Sequence, residues 1–429
     1  MWSRLCHRLA NKLEMSNDTQ NSSIANPVPP TISPEGSLPK IVVFSLNTTL
    51  LRLTPDNIAL TMPNGTTIPP KEGNLPDAKV RLHTLRVARR IFLGGHLGMV
   101  KAYIEGEWDA DDLVATISAG IGNEAKIQQT LEGIWPVRAL NRTRHLLRSN
   151  SRLGSRKNIA SHYDLGNEFY RRWLDDSMTY SSALFRHPAE KLEDAQQRKY
   201  RRLADQLGLK PGMKLLEIGC GWGGFSEIAA SAYGCDVTAV TVSREQEKYA
   251  RNRMRRAGLQ DKVTIKFQDY RDIAGKFDRI VSIEMIEAVG EKFWPAYFGT
   301  LKERLAREGR IGLQAITIAN ERFDRYRKAA DFIQAYIFPG GMLPSPRSIE
   351  TQATAHKLQI DNIYSFGNSY ANTLARWRER FELAWPEIQK LGMDERFRRL
   401  WRYYLAYSEA GFRRGTIDVS QYILSTQKN

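Results

Sequence analysis

The chain has 429 residues, 42% apolar and 26% charged, too many for one ordinary core and enough for two. Its formal charge of +16 draws it toward polyanions, either nucleic acid or an acidic lipid surface, and by itself selects neither. No run approaches the ~18 apolar residues of a spanning helix. The start "MWSRLCHRLANKLEMS" lacks the apolar stretch of a secretion signal, so a cytoplasmic protein is expected. Cys6, Cys220 and Cys235 are odd in number and have no metal-ligand spacing, so neither a disulfide framework nor a zinc site is expected.

Residues 1–40 read as a disordered tail, since "SNDTQNSSIANPVPPTISPEGSLPK" is rich in Ser, Asn and Pro and poor in large apolar side chains. A small amino-terminal α+β domain is expected over residues 41–123. There "IVVFSLNTTLLRL" and "NIALTMPNGTTI" look like strands, the second broken by an Asn64-Gly65 turn, and the glycines of "LGGHLG" interrupt a helical spacing. Residues 124–158 form a basic connector, with seven cations from Arg138 to Lys157 interleaved with leucines and preceded by Trp135. Over residues 159–429 the apolar strands "KLLEIG", "DVTAVTV", "VTIKF", "RIVSI" and "RIGLQAITI" alternate with helix-like stretches. Such alternation predicts an α/β fold, a doubly wound parallel sheet of the Rossmann-like class.

In such a sheet the first strand-to-helix turn lies where ligands bind, and here it reads "LLEIGCGWGGF". Gly219, Gly221 and Gly224 satisfy the dinucleotide pattern, but that pattern also wants an acid closing the second strand. At that place stands "AVTVSREQ", with no carboxylate before Glu245. Glu217 instead gives E-x-G-x-G, which suits a cofactor with an amino-acid moiety and no pyrophosphate.

Seven segments in order, "IASHYDLGNEFYRRWLDDSMTYSSALF", "LLEIGCGWGGF", "VTVSREQ", "FQDYRD", "IEMIEAVGEKFWPAYF", "IFPGGMLPS" and "SYANTLARW", resemble the cyclopropane-fatty-acyl-phospholipid synthase and mycolic acid cyclopropane synthase family. These are methyltransferases that use S-adenosylmethionine. The likeness covers residues 159–422, and "LGMVKAYIEGEWDADDL" is similar to the amino-terminal domain of the phospholipid enzymes. It implies a cofactor site made of Tyr180, Ser181, Glu217, Gly219, Gly221, Thr241, Gln246 and Tyr270. His162 and Asp164 follow the family pattern as structural or lid residues. It also implies a bound bicarbonate as base, held by Glu287 and Tyr370, by Gln314, and by backbone groups at Ser182 and Ile316.

Two of those positions depart from the pattern. Ser182 stands where the family has Cys, a mild change if only its backbone serves. Gln314 stands where it has His, and an amide can donate to an anion but cannot carry charge or shuttle a proton. Gln314 therefore either holds bicarbonate by a neutral hydrogen bond, preserving ring closure, or redirects proton removal to give a methylated chain without a ring. Glu284, three residues before Glu287, is expected on the same helix face, reaching cofactor or cation, or else serving as a helix-start carboxylate.

The expected substrate is an unsaturated acyl chain of a phospholipid, met at an anionic membrane surface on the inner face. Trp377, Phe381 and Trp385 recur at i, i+4 and i+8, and Phe397, Leu400, Trp401 and Tyr404 form a second stripe. Both read either as core or, with their flanking arginines, as a face for anionic head groups. A homodimer is compatible with the family likeness. A nucleic-acid methyltransferase is disfavoured by the absence of an Asn/Asp-Pro-Pro-aromatic tetrapeptide and of a Pro-Cys pair, and a catalytically silent lipid binder is the third reading.

Overall fold

The computed structural model describes residues 54, 57–70, 76–124, 165–328 and 330–427. The expected tail, the strand "IVVFSLNTTLLRL", the connector from residue 125 onward, His162 and Asp164 lie outside the described residues. The segment "NIALTMPNGTTI" is a hairpin in which β1 (Ile58–Thr61) pairs antiparallel with β2 (Thr67–Ile68) around Gly65. β3 (Ala78–Leu82) runs parallel to β1, and α1 (Arg86–Ile104) leads to β4 (Trp108–Ala110), completing a sheet of order β2-β1-β3-β4. α1 is broken at Gly95 (φ +54, ψ −135), and a Cβ on Gly98 would stand 1.8 Å from the Arg90 carbonyl oxygen. The glycines of "LGGHLG" thus let two helical limbs meet backbone to backbone. α2 (Leu113–Gly122) follows, its first turn capped by the Asp112 carboxylate, which accepts from Ala115 N at 2.9 Å.

After α3 (Asn167–Arg171) and α4 (Leu192–Leu207), the chain winds through β5 (Lys214–Ile218), α5 (Gly224–Ser231), β6 (Asp236–Thr241), α6 (Arg244–Arg256) and β7 (Val263–Phe267). It then crosses back to β8 (Phe277–Ile283), the short α7 (Ile286–Val289), α8 (Trp294–Arg304) and the long β9 (Leu305–Ile318). These five strands are parallel, as the alternation of strands and helices predicts. The sheet is mixed rather than wholly parallel. β10 (Leu358–Ser365) and β11 (Ile417–Thr426) extend it to the order β10-β11-β9-β8-β5-β6-β7, with β11 antiparallel to both neighbours.

Between β10 and β11 lie α9 (Gly367–Leu383) and α10 (Glu395–Arg413), and they decide between the two readings of the aromatic stripes in favour of core. Trp377 and Phe381 are wholly buried, Trp385, Trp401 and Tyr404 nearly so, and Phe397 packs against the same core. Phe169, Trp173, Trp377 and Trp401 meet edge to face. The flanking arginines are committed inside the fold: Arg378 to Glu409, Arg380 to Glu193, and Arg376 to the Pro188 carbonyl. Aromatic area of this size is worth most when removed from water, so the stripes are core and present no membrane face.

Candidate active site

Strand order reverses between β5 and β8, because the chain leaves β5 toward β6 and β7 and leaves β8 toward β9. Loops at the carboxyl ends of such a pair diverge and leave a crevice. A cavity of about 300 Å³ occupies it, lined by the turn after β5, the turn after β8, and Tyr370, Leu374, Tyr404 and Phe412 from the overlying α9 and α10.

All eight residues expected to seat the cofactor line this cavity. Gly219 has φ +78, and a Cβ there would lie 2.8 Å from Met285 Cγ. Gly221 has φ +52, and a Cβ there would meet nothing within 4 Å, so it would project into space that a ligand can fill. Glu217 is buried beneath this turn, accepts from the Ser226 hydroxyl, and is pushed up to about 7 by burial. Thr241 Oγ1 donates to Gln246 Oε1 at 2.8 Å, while Ser243 caps α6. Tyr270 presents its ring beside Asp269, whose carboxylate receives both Nε and Nη2 of Arg271 at 2.8 and 2.6 Å. Tyr180 shares a hydroxyl hydrogen bond of 2.7 Å with Tyr404 and leans on the Trp377 ring at 5.3 Å.

The cavity also holds two carboxyl groups in opposite surroundings. Glu284 is not on a helix: it leaves β8 with φ +50, ahead of α7, so the expected i,i+3 alignment with Glu287 does not arise, nor does a helix-start role. Its Oε1 accepts from Ser181 Oγ at 2.8 Å, Ser182 N at 3.0 Å and Gln314 Nε2 at 2.7 Å; its Oε2 accepts from the Tyr370 hydroxyl at 2.8 Å. Ser182 and Gln314 are fully buried one layer behind the cavity wall, and the Ser182 hydroxyl turns away to the Ala183 carbonyl. Only the Ser182 backbone faces the site.

Glu287 accepts from the Ile316 backbone N–H through Oε1, and its Oε2 is buried without a partner among the described residues. Burial, with the nearby Glu284 charge second, pushes Glu287 up to about 8, so it is a neutral acid at pH 7. The donors expected to surround a bound anion are therefore divided: Ser182, Gln314 and Tyr370 meet at Glu284, and Ile316 serves Glu287.

Sequence reasoning passed over the residues that aim these groups. Arg202 Nη1 donates to Gln421 Oε1 at 2.7 Å, Gln421 Nε2 donates to Gln314 Oε1 at 3.1 Å, and the Gln314 amide nitrogen is thereby turned toward Glu284. Lys199 Nζ donates to Ser181 Oγ at 3.0 Å and is fully buried. The signal for Lys199 was available: it stands on the stripe Leu192, Ala195, Gln196, Leu203, Ala204 and Leu207 of α4, where a charge needs a reason. Trp222 Nε1 donates to Asn167 Oδ1 at 2.7 Å, tying α3 over the glycine turn.

The family model described as Mycolic acid cyclopropane synthetase matches residues 150–422. The chain belongs to that family. The tuberculostearic acid methyltransferase UfaA1 of Mycobacterium tuberculosis is 42% identical over 348 residues, 79% of this chain and 81% of that one. The cyclopropane-fatty-acyl-phospholipid synthase of Escherichia coli K12 is 39% identical over 363 residues, 82% of this chain and 89% of its own. Among solved structures, mycolic acid cyclopropane synthase CmaA1 complexed with SAH and CTAB superposes with a TM-score of 0.59 at 31% identity, covering 63% of this chain and 97% of its own. This cyclopropane synthase family member is an S-adenosylmethionine-dependent methyltransferase. The open space at Gly221 and the buried Glu217 fit that cofactor, and Thr241, Gln246 and Tyr270 line the same cavity.

Proposed function

We propose that this methyltransferase adds a methyl or methylene group to the double bond of unsaturated acyl chains in membrane phospholipids. Ring closure to a cyclopropane is the first reading of the product, and an open methylated chain the second. The observation that carries the proposal is one continuous cavity joining the glycine turn of the cofactor side to a chamber whose polar groups include Glu284, Glu287 and Tyr370. When bound, S-adenosylmethionine supplies an electrophilic methyl group on a sulfonium.

The chain's own residues would do the rest. An isolated alkene is a poor nucleophile, so it must be held in near-attack geometry, and Ile316, Phe338, Leu374 and Phe412 offer the hydrocarbon wall for that. The same wall excludes water that would trap a cation on the chain. The faces of Tyr180, Tyr404 and Phe412 and the carboxylate of Glu284 stabilise positive charge there. A base then removes a proton: from the added methyl, which closes the ring, or from a neighbouring carbon, which leaves an alkene. The cyclopropane synthase at 39% identity supports the ring, while the neutral amide of Gln314 and the methyltransferase at 42% identity carry the open chain as the second reading.

An anionic membrane surface is the proposed partner. The +16 charge accompanies Phe92 and Leu93, 40% and 55% exposed, beside the exposed Arg86 and Arg89 on α1. Among the described residues no helix is long and apolar enough to cross a membrane, so the association proposed is peripheral. The test incubates the protein and methyl-labelled S-adenosylmethionine with anionic vesicles of monounsaturated phospholipid and reads the fatty acids by NMR. Upfield ring protons support cyclopropanation, and label without ring protons supports branching. No label in mono- or dienoic chains overturns the proposal.

A further inference from the structure

The polar end of the chamber is already occupied by a side chain. Glu284 holds a left-handed backbone that only glycine adopts without strain, and that strained turn brings its carboxylate under four donors from three separate segments, the Tyr180–Ser182 loop, β9 and α9. A free oxyanion entering the chamber would have to compete for Ser182 N, Gln314 Nε2 and Tyr370 OH with a carboxylate that is covalently tethered among them, and tethering removes the entropic cost of binding. Oε1, with three donors, has no lone pair to spare. Oε2 has one donor among the described residues and so keeps one lone pair unengaged. Glu287 is no rival for the task, because its buried carboxyl is held neutral.

Resting on the acyl-methyltransferase reading, we propose that the Glu284 carboxylate is itself the catalytic base, standing where the family likeness implies a bicarbonate. In the step it performs, a C–H bond on the added methyl or beside the cationic carbon breaks. Its electron pair becomes the third ring bond or a new π bond, and the proton ends on Glu284 Oε2, cancelling one positive and one negative charge. A carboxylate is base enough, because a C–H next to a carbocation is far more acidic than any carboxylic acid. Behind Oε1 runs a donor chain that steadies the carboxylate: Lys199 Nζ donates to Ser181 Oγ at 3.0 Å, and Ser181 Oγ donates to Oε1 at 2.8 Å. Burial pushes Lys199 down to about 7.

The test compares wild type, Glu284→Gln and Glu284→Gly in buffer stripped of carbon dioxide and in buffer with millimolar bicarbonate. S-adenosylhomocysteine affinity by calorimetry is measured in parallel, to establish that each variant is folded. Wild type is expected to turn over within twofold in both buffers. Glu284→Gln, which keeps shape but not basicity, is expected to lose at least 100-fold in both. Glu284→Gly relieves the left-handed strain and empties the anion site, so it is expected to lose as much when stripped and to regain at least tenfold with bicarbonate. Turnover of wild type that collapses on stripping, or Glu284→Gln at wild-type rate, overturns the proposal. Failure of the acyl-methyltransferase reading is separable, since wild type would then label no lipid in either buffer. Line broadening of carbon-13 bicarbonate decides the matter without lipid: Glu284→Gly is expected to broaden it and wild type is not, and broadening by wild type also overturns the proposal.

Discussion

Glu284 and Glu287 carry the same carboxyl three residues apart, and the structure gives one four donors and the other a single backbone N–H with an orphan oxygen. The consequence for Glu287 can be measured through stability. Its folded form prefers the proton up to about 8 whereas an unfolded chain releases it near 4.5, so the folded state binds more protons between those values. Stability it contributes is complete below 4.5 and is lost as pH rises to about 8, at about 1.4 kcal/mol per pH unit. Glu287→Gln mimics the neutral acid and cannot ionise. Its unfolding free energy, followed by denaturant titration, is expected to match wild type near pH 5 and to exceed it by a margin that grows up to pH 8; parallel curves would mean that Glu287 is ionised in the fold. The motif "IEAVG" made Glu287 legible, as "SYANTL" did Tyr370, because each sits in a recognisable local string. Glu284 was legible as a candidate only. Its donors come from Ser182, Gln314 and Tyr370, far apart in sequence, and its positive φ leaves no trace in composition.

The parallel strands β5, β6, β8 and β9 were legible as apolar runs because both of their faces are largely buried, and the edge strand β7 by its alternation of buried and exposed residues. β10 was not, since after Leu358 its side chains are largely exposed and it lies at a sheet edge. β11 matters more, for its register sets Gln421 opposite Gln314, 107 residues away. No sequence period reports such a pair. That register has a chemical effect, because Arg202 fixes which end of the Gln421 amide points at Gln314 and so which end of Gln314 points at Glu284. Gln421→Leu would leave the Gln314 amide free to turn its oxygen toward the carboxylate. A neutral hydrogen bond lost from a buried relay is worth about 1–2 kcal/mol, or roughly tenfold in rate. The expected result is a turnover about tenfold lower at unchanged S-adenosylhomocysteine affinity. An unchanged rate would mean that the orientation of Gln314 is set elsewhere.

The charge of +16 was legible at once, but where it meets a lipid surface was not. The stripes on α9 and α10 have the right amphipathic spacing, yet the same spacing serves a core, and burial settles it against Trp377 and Trp401 as membrane contacts. α10 in fact joins the small sheet to the large one. Arg399 donates to the carbonyls of Tyr103 and Trp108, pairs with Asp109 and lies over the Tyr103 ring at 4.2 Å. The small sheet is thereby fixed beside the active site, and it carries on α1 the exposed Phe92 and Leu93, one turn beyond Arg89. Two large apolar side chains left in water next to cations are the elements of interfacial binding: the cations gain from anionic head groups and the apolar pair from the acyl boundary. Phe92→Ser with Leu93→Ser is expected to weaken binding to anionic vesicles by at least tenfold in sedimentation, and to raise the KM for vesicle lipid while leaving S-adenosylhomocysteine affinity unchanged. Arg86→Glu with Arg89→Glu should flatten the salt dependence of the same binding, because screening acts on the charges and not on the apolar pair. Vesicle binding indifferent to all four changes would move the docking face away from α1.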